Sequence, residues 1–397
     1  MSQRPVPRSA LPRTIWALGF ASLFMDMSSE LVHALLPLLM VNVLGASMLA
    51  VGIIEGVAEA TAAITKVFSG ALSDHWRRRK PLLVFGYGLA ALTKPVFPLA
   101  ASLGWIMAAR FADRVGKGIR GAPRDALVAD VTPAHARGAA YGLRQALDSV
   151  GAVLGPLLAI LLMLAWAGDV QAVLWVAVVP ATITVLILLL WVREPAMPSA
   201  AESRAWRWQD YRLLQRRYWL VVGLGAVFTL ARFSEAFLIL RAQDTGFAPV
   251  YVPAIMILMN LVYAGGAYPA GKLADRLSPR HLLIAGLLML IVADLLLAAS
   301  NGVMLTLLGA LCWGIHMALT QGLFGKLVAD AAPAHLRGTA FGVYNLMTGV
   351  ALLLASAVAG LLWSVYGAAA TFLAGALFAA LALAGLLLIR WHSGPVH

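Results

Sequence analysis

The chain has 397 residues, of which 61% are hydrophobic and only 12% charged, whereas an ordinary soluble domain is roughly a quarter charged. That balance excludes a water-soluble globule, which would lack the polar surface to cover itself. A net charge of +12 would suit nucleic acid if the basic residues lined one face or tail, but they sit in short clusters between apolar runs, a pattern that excludes nucleic acid as a partner and points to a lipid bilayer.

The apolar runs are long enough to cross a hydrocarbon core of about 30 Å as helices. In chain order, twelve spans are predicted near 14–40, 48–70, 81–101, 103–128, 138–166 and 171–192, then 218–241, 250–272, 280–300, 302–328, 338–365 and 369–391. The start of the chain, with Arg4, Arg8 and Arg13 ahead of an apolar run, has the outline of a secretion signal. The run nevertheless continues past Leu39 and contains Asp26 and Glu30, so it is expected to be the first membrane helix. Cys312 is the single cysteine, which excludes an intrachain disulfide and a cysteine metal cage.

Basic residues fall at alternate connections: Arg4 to Arg13, 77–80, Arg137, 193–217, Lys272 with Arg276 and Arg280, Arg337, and Arg390. Because Lys and Arg are retained on the cytoplasmic side, both termini are expected there, in a bacterial-type inner membrane. The opposite connections are short and hold chiefly Asp169, Arg241 and Asp244. The expected division is a six-helix bundle over 1-192, a cytoplasmic linker over 193-217 and a second bundle over 218-397. Trp206 and Trp208 among the linker's basic residues suit a segment lying on the inner membrane surface, and equally a solvated connection.

The strongest signal is an internal repeat. The stretch VADVTPAHARGAAYG at 128–142 returns as VADAAPAHLRGTAFG at 328–342, an offset of 200, and GALSD at 70–74 returns as GKLAD at 271–275. Ser29 and Glu30 have a weaker echo in Ser234 and Glu235. Parallel six-span repeats place a substrate site between the halves near the midplane and move by alternating access.

On these motifs the chain resembles the major facilitator superfamily over essentially its whole length. Gly70, Asp74 and Arg78, with Gly271 and Asp275 in the second half, look like that family's cytoplasmic gating signature, although Arg77 and Ser278 stand where a glycine is usual. Arg114 and Gly118, ahead of ALVAD at 126–130, resemble the fourth-helix arginine motif tied to proton coupling. Gly151, Gly155 and Pro156 resemble the fifth-helix antiporter motif, a pattern that close helix packing would also produce. The resemblance implies an all-α membrane protein of 12 transmembrane helices in two pseudo-symmetric six-helix bundles, monomeric and without cofactor. No GxxxxGK[ST] sequence supports ATP as a direct energy source.

Each ionisable residue inside a span costs roughly 2.5–3.5 kcal/mol to insert and so calls for a partner or a function. Asp26, Glu30 and His33 share one face of the first helix, and Glu55, Glu59 and Lys66 one face of the second. The fourth carries Arg110, Arg114, Lys117, Arg120 and Arg124 within an arc of about 120°, with Asp113 at its edge. This stripe must face a polar cavity or acidic partners. Over the first five helices, Asp26, Glu30, Glu55, Glu59, Asp113, Asp125 and Asp148 stand against Lys66, Lys94, Arg110, Arg114, Lys117, Arg120, Arg124 and Arg144. Seven against eight is close to neutral, so the stripe alone does not imply an anionic solute.

Arg120, Arg124 and Asp125 are expected as gate residues. Asp26, Glu30, His33, Glu59, Arg110, Asp113, Arg114 and Lys117 are expected around a substrate or proton cavity, with Arg232, Glu235 and His316 from the second half. The second-half positions matching the stripe are uncharged (Ala310, Gly314, Met317, Thr320, Phe324), which suits apolar and aromatic contact. Asn260 and Tyr263 could bind a solute or join helices, and Glu30, His33, Glu59 and His316 could converge on a transition metal.

The expectation is a secondary active transporter moving a small organic solute, amphipathic or charged, by proton-coupled efflux. An importer of a nutrient or metal chelate, and a divalent metal ion transporter, remain as alternatives. Asp74 and Asp275 argue against a scaffold that has lost its gates, and no convergent nucleophile and base suggests an enzyme.

Overall fold

A backbone immersed in hydrocarbon must close its own hydrogen bonds, and the described residues of this chain do so with helices. The computed structural model describes residues 11–76, 78–133, 136–194, 214–320, 323–333 and 336–388, and among them there is no strand. The first half comprises α1 (Arg13–Leu38), continued by one wide turn at Leu39–Val43, α2 (Met48–Trp76), α3 (Arg79–Thr93) with α4 (Val96–Leu99), α5 (Leu103–Val131), α6 (Arg137–Ala165), and α7 (Val170–Val176) with α8 (Val178–Leu190). The second comprises α9 (Arg216–Leu230) with α10 (Ala236–Asp244), α11 (Ala254–Arg276), α12 (Pro279–Ala299), α13 (Val303–Thr320) with α14 (Leu323–Ala331), α15 (Arg337–Tyr366) and α16 (Ala368–Leu388). Each pair named together makes one passage, giving the twelve predicted crossings. The linker expected at 193-217 falls mostly outside the described residues.

Ten crossings are long and apolar enough to span a bilayer on composition alone. The fourth falls short because α5 carries the charged stripe. The seventh falls short because it is broken at 231–235, so that neither α9 nor α10 is long enough by itself. Backbone groups freed at that break are taken up by serines: Ser234 N–H donates to Ser356 Oγ at 3.2 Å, and Ala236 N–H to Ser234 Oγ at 3.2 Å. The third and sixth passages also break, next to Pro95 and three residues before Pro180, where a missing N–H leaves the helix ladder incomplete.

The halves meet along α2 and α15, where glycines let the backbones approach. A Cβ on Gly56 would lie 3.0 Å from Leu353 O and one on Gly349 3.1 Å from Ala63 Cβ. At Gly52 and Gly360 a Cβ would overlap Ser356 O and Met48 O outright. At the end of the bundle away from the termini, Leu49 N–H donates to Ser364 Oγ at 3.1 Å and Gln243 Nε2 to Asn42 Oδ1 at 2.9 Å. Nearer the middle, Asn260 Nδ2 donates to Ala152 O at 3.0 Å, so Asn260 joins α11 to α6.

Gly151 and Gly155 seat α6 on α1 in the same manner. A Cβ on Gly155 would lie 2.6 Å from Met27 O, one on Gly151 would overlap Leu23 O, and Pro156 is buried beside them. Close packing therefore accounts for the fifth-helix motif.

Gly52→Val should lower the unfolding temperature in detergent by several degrees, overpacking being worth about 1–3 kcal/mol. Gly88→Ala, whose added Cβ meets nothing within 4 Å, should leave it unchanged or slightly raised.

Candidate functional site

A cavity of about 680 Å³ lies between the halves, within the range of about 300–1,000 Å³ usual for small-molecule sites. Its two walls differ in chemistry. The first half contributes Asp26, Glu30 and His33 from α1, Glu59 and Lys66 from α2, Arg114, Lys117, Arg120, Arg124 and Asp125 from α5, and Asp148 from α6. The second half contributes Phe228, Phe233, Phe324, Tyr263 and Tyr344, with Arg232 and Glu235 at the break in the seventh passage.

Most charges on the first wall are answered locally. Arg114 Nη2 lies 3.1 Å from Glu59 Oε1, and His33 Nδ1 lies 3.5 Å from Glu30 Oε2. Towards the terminal end, Arg124 reaches Asp125 at 3.5 Å and Asp148 at 4.0 Å, and donates to Ser22 Oγ at 3.1 Å. Arg144 holds Asp148 at 2.5 Å. Arg232 and Glu235 are 4.0 Å apart.

Three cations are left over, Lys66 on α2 and two on α5. Among the described residues, Lys66, Lys117 and Arg120 have no carboxylate within 4.0 Å. The Arg120 guanidinium sits 4.5 Å over the Tyr87 ring, with Nη1 lacking a hydrogen-bond partner. Asp26 is the carboxylate without an ion pair on this wall, within electrostatic reach of the Asp148 carboxylate as well as of Arg120, Arg124 and Lys117.

Three expected cavity residues lie elsewhere. Arg110 is one turn farther from the terminal end than Arg114, at a level where Glu55 of α2 fills the space, and the two form a buried bidentate pair with Arg110 Nε donating to Glu55 Oε1 at 3.0 Å. Asp113 points to the break in the third passage, where Lys94 Nζ holds it at 2.9 Å and also donates to Ser29 Oγ at 3.2 Å. His316 is fully buried behind Phe228, stacked on that ring at 5.3 Å with Nδ1 2.8 Å from Gly286 O. The metal convergence of Glu30, His33, Glu59 and His316 is thereby broken, and no other His, Cys, Asp or Glu group among the described residues is placed to hold a metal.

Arg120 and Arg124, expected at the gate, are among the residues lining the cavity. At the terminal end, a different set of residues joins the helices. Arg79 bonds Ser73 Oγ at 2.5 Å and Asp130 Oδ2 at 3.3 Å, while the N–H groups of Arg79 and Lys80 both donate to the Glu194 carboxylate. These contacts tie α2, α3, α5 and the end of the sixth passage together. Gly70 packs near Ala122, and Arg78 is exposed. The side chains of Asp74 and Asp275, and the surroundings of Gly271, lie outside what the structure describes. Ser22, Tyr87 and Glu194 were missed because nothing in their local sequence distinguishes them from ordinary helix or loop residues.

The sequence profile of the major facilitator superfamily matches residues 18–240 and again 221–397. An uncharacterised MFS-type transporter of Methanocaldococcus jannaschii is 33% identical over 387 residues, covering 96% of this chain and 95% of its own. The inner membrane transport protein YajR of Escherichia coli is 24% identical over 387 residues, 93% of this chain and 81% of its own. Among solved structures, the nucleoside transporter NupG superposes with a TM-score of 0.78 at 14% identity, covering 94% of this chain and 99% of that one.

Breaking a buried ion pair by removing one partner costs about 3–5 kcal/mol, because the other charge is stranded. Glu55→Gln should therefore destabilise strongly in thermal unfolding, and the double variant Glu55→Leu/Arg110→Met should recover most of the loss.

Proposed function

This chain belongs to the major facilitator superfamily, and we propose that it carries a small amphipathic organic anion by alternating access, coupled to protons, across a bacterial-type inner membrane with both termini cytoplasmic. The observation that carries this reading is the division of the cavity into one wall with three cations lacking a carboxylate, Lys66, Lys117 and Arg120, and a facing wall of aromatic rings. A carboxylate or phosphate head on the solute would meet Lys117 and the Arg120 guanidinium, while its apolar body packs on Phe228, Phe324 and Tyr344. Hydrogen bonds to a charged partner contribute about 1.5–3 kcal/mol each, and a low-dielectric site strengthens them.

Asp26 is the proton carrier in this scheme. When ionised it competes with the solute for the cations on α5, and when protonated it leaves them to the anion. Proton and anion then bind together, which favours symport. Efflux by exchange rests on the fifth-helix motif, whose glycines already have a packing role. Exchange would require proton and solute to compete, an arrangement better suited to a cationic solute.

Thermal stabilisation of the purified protein by aromatic carboxylic acids, compared with their amides and with matched amines, tests the solute class. Acids should stabilise selectively, and Lys117→Ala should weaken their apparent affinity by about 10- to 100-fold, equivalent to 1.4–2.8 kcal/mol. Equal stabilisation by amines or neutral amides, or no effect of Lys117→Ala, would overturn the reading. In reconstituted vesicles, inward movement of a stabilising acid should acidify the lumen, and Asp26→Asn should abolish that acidification while sparing solute counterflow. Alkalinisation of the lumen would indicate exchange.

A further inference from the structure

Behind the aromatic wall, the second half holds three polar groups with no hydrogen-bond partner: both oxygens of Asp294, Nε1 of Trp313 and Nε2 of His316. All three residues are fully buried. His316 presents its Nδ1 to a carbonyl, which can only accept, so Nδ1 carries the hydrogen and Nε2 keeps a bare lone pair. Asp294 stands in the middle of the apolar helix α12, and the fold makes room for it. A Cβ on Gly375 of α16 would fall 2.6 Å from Asp294 Oδ2 and 3.0 Å from Phe233 Cε1, so the carboxyl and the Phe233 ring meet across that glycine.

Phe233 therefore separates two compartments. One side of it lines the central cavity. The other packs into a ring cluster, 5.5 Å from Trp313 and 5.4 Å from Phe372, and Trp313 lies 6.4 Å from His316. Phe233 belongs to the unwound segment 231–235, the part of the seventh passage least restrained by helical hydrogen bonds.

A carboxylate without a partner in such a core would cost several kcal/mol, far more than an un-ionised acid. A residue needed only for packing would be apolar. We propose that Asp294 is a second proton-binding site, opened to the central cavity when the unwound segment carries Phe233 aside. On opening, the O–H bond of Asp294 breaks, the proton passes to cavity water, and the carboxylate is met by Arg232, the residue before Phe233. Arg232 is loosely held, the contact to its present neighbour Glu235 being long at 4.0 Å.

Few other titratable groups surround the site. The described part of α16 has none, α13 brings His316 and Cys312, and the seventh passage brings Arg232 and Glu235. Arg241 is committed elsewhere, to Leu297 O at 2.9 Å, Ser300 O at 2.6 Å and Asp244 at 2.5 Å.

Infrared spectroscopy of the purified full chain in lipid tests this without any solute, so the outcome does not depend on the anion reading. The wild type should show a carbonyl band from an un-ionised carboxyl that persists at neutral pH and shifts in D2O. Asp294→Asn should lose that band while keeping its unfolding temperature and any acid-induced stabilisation. Phe233→Ala should speed deuterium exchange of the band by roughly tenfold or more, as expected when a local opening becomes easier. Labelling of the unaltered protein by a hydrophobic carbodiimide, mapped by mass spectrometry, gives a variant-free check, with an adduct expected at Asp294. A spectrum unchanged by Asp294→Asn, no adduct at Asp294, or an exchange rate indifferent to Phe233→Ala would overturn the proposal.

Discussion

A charge placed in hydrocarbon must be answered by another charge or by a polar cavity, and the arrangement of the first half follows from that requirement. The α5 helix carries too many ionised groups to be stable against lipid. It is held in place because α2 offers Glu55 to Arg110 and Glu59 to Arg114, while the residue after α3, Lys94, meets Asp113. These pairs fix the rotation of α5 about its axis. Once that rotation is set, Lys117 and Arg120 are directed into the space between the halves with no carboxylate to meet them. The two α5 cations without a carboxylate partner are thus what remains of the stripe after the structural pairs have formed.

The second constraint is that the halves must touch and still move. Along α2 and α15 they touch largely at glycines, which receive the backbone or a small or apolar side chain of the facing helix. Such a seam gives dispersion contact with little lateral obstruction, which suits rocking of one bundle against the other. The break in the seventh passage adds a local degree of freedom to the global one, and it carries Arg232, Phe233 and Glu235, three residues at the cavity wall.

The fold was legible in the sequence to a high degree. Hydrophobic runs placed every crossing to within a few residues, and the repeat at 128–142 and 328–342 announced two related halves. The interruptions were less visible. Pro95 and Pro180 signal two of them, but the break at 231–235 contains no proline and is held by Ser356, more than a hundred residues away. Asp294 illustrates a signal present but unread, since a lone aspartate in the apolar α12 already demands an explanation.

The candidate site was legible in its residue types more than in their roles. Periodicity correctly put Asp26, Glu30 and His33 on one face and Arg114 with Lys117 on another. It could not separate Arg110 from Arg114, because both lie on the same stripe of α5 and differ only in which acidic neighbour stands across from them. By itself, then, the sequence determined the twelve crossings, the two related halves and the inventory of charges within the membrane, since these follow from hydrophobic spacing and repetition along one chain. Only the tertiary structure decided which charges neutralise one another and which face the cavity, because an ion pair depends on the distance between side chains from different helices.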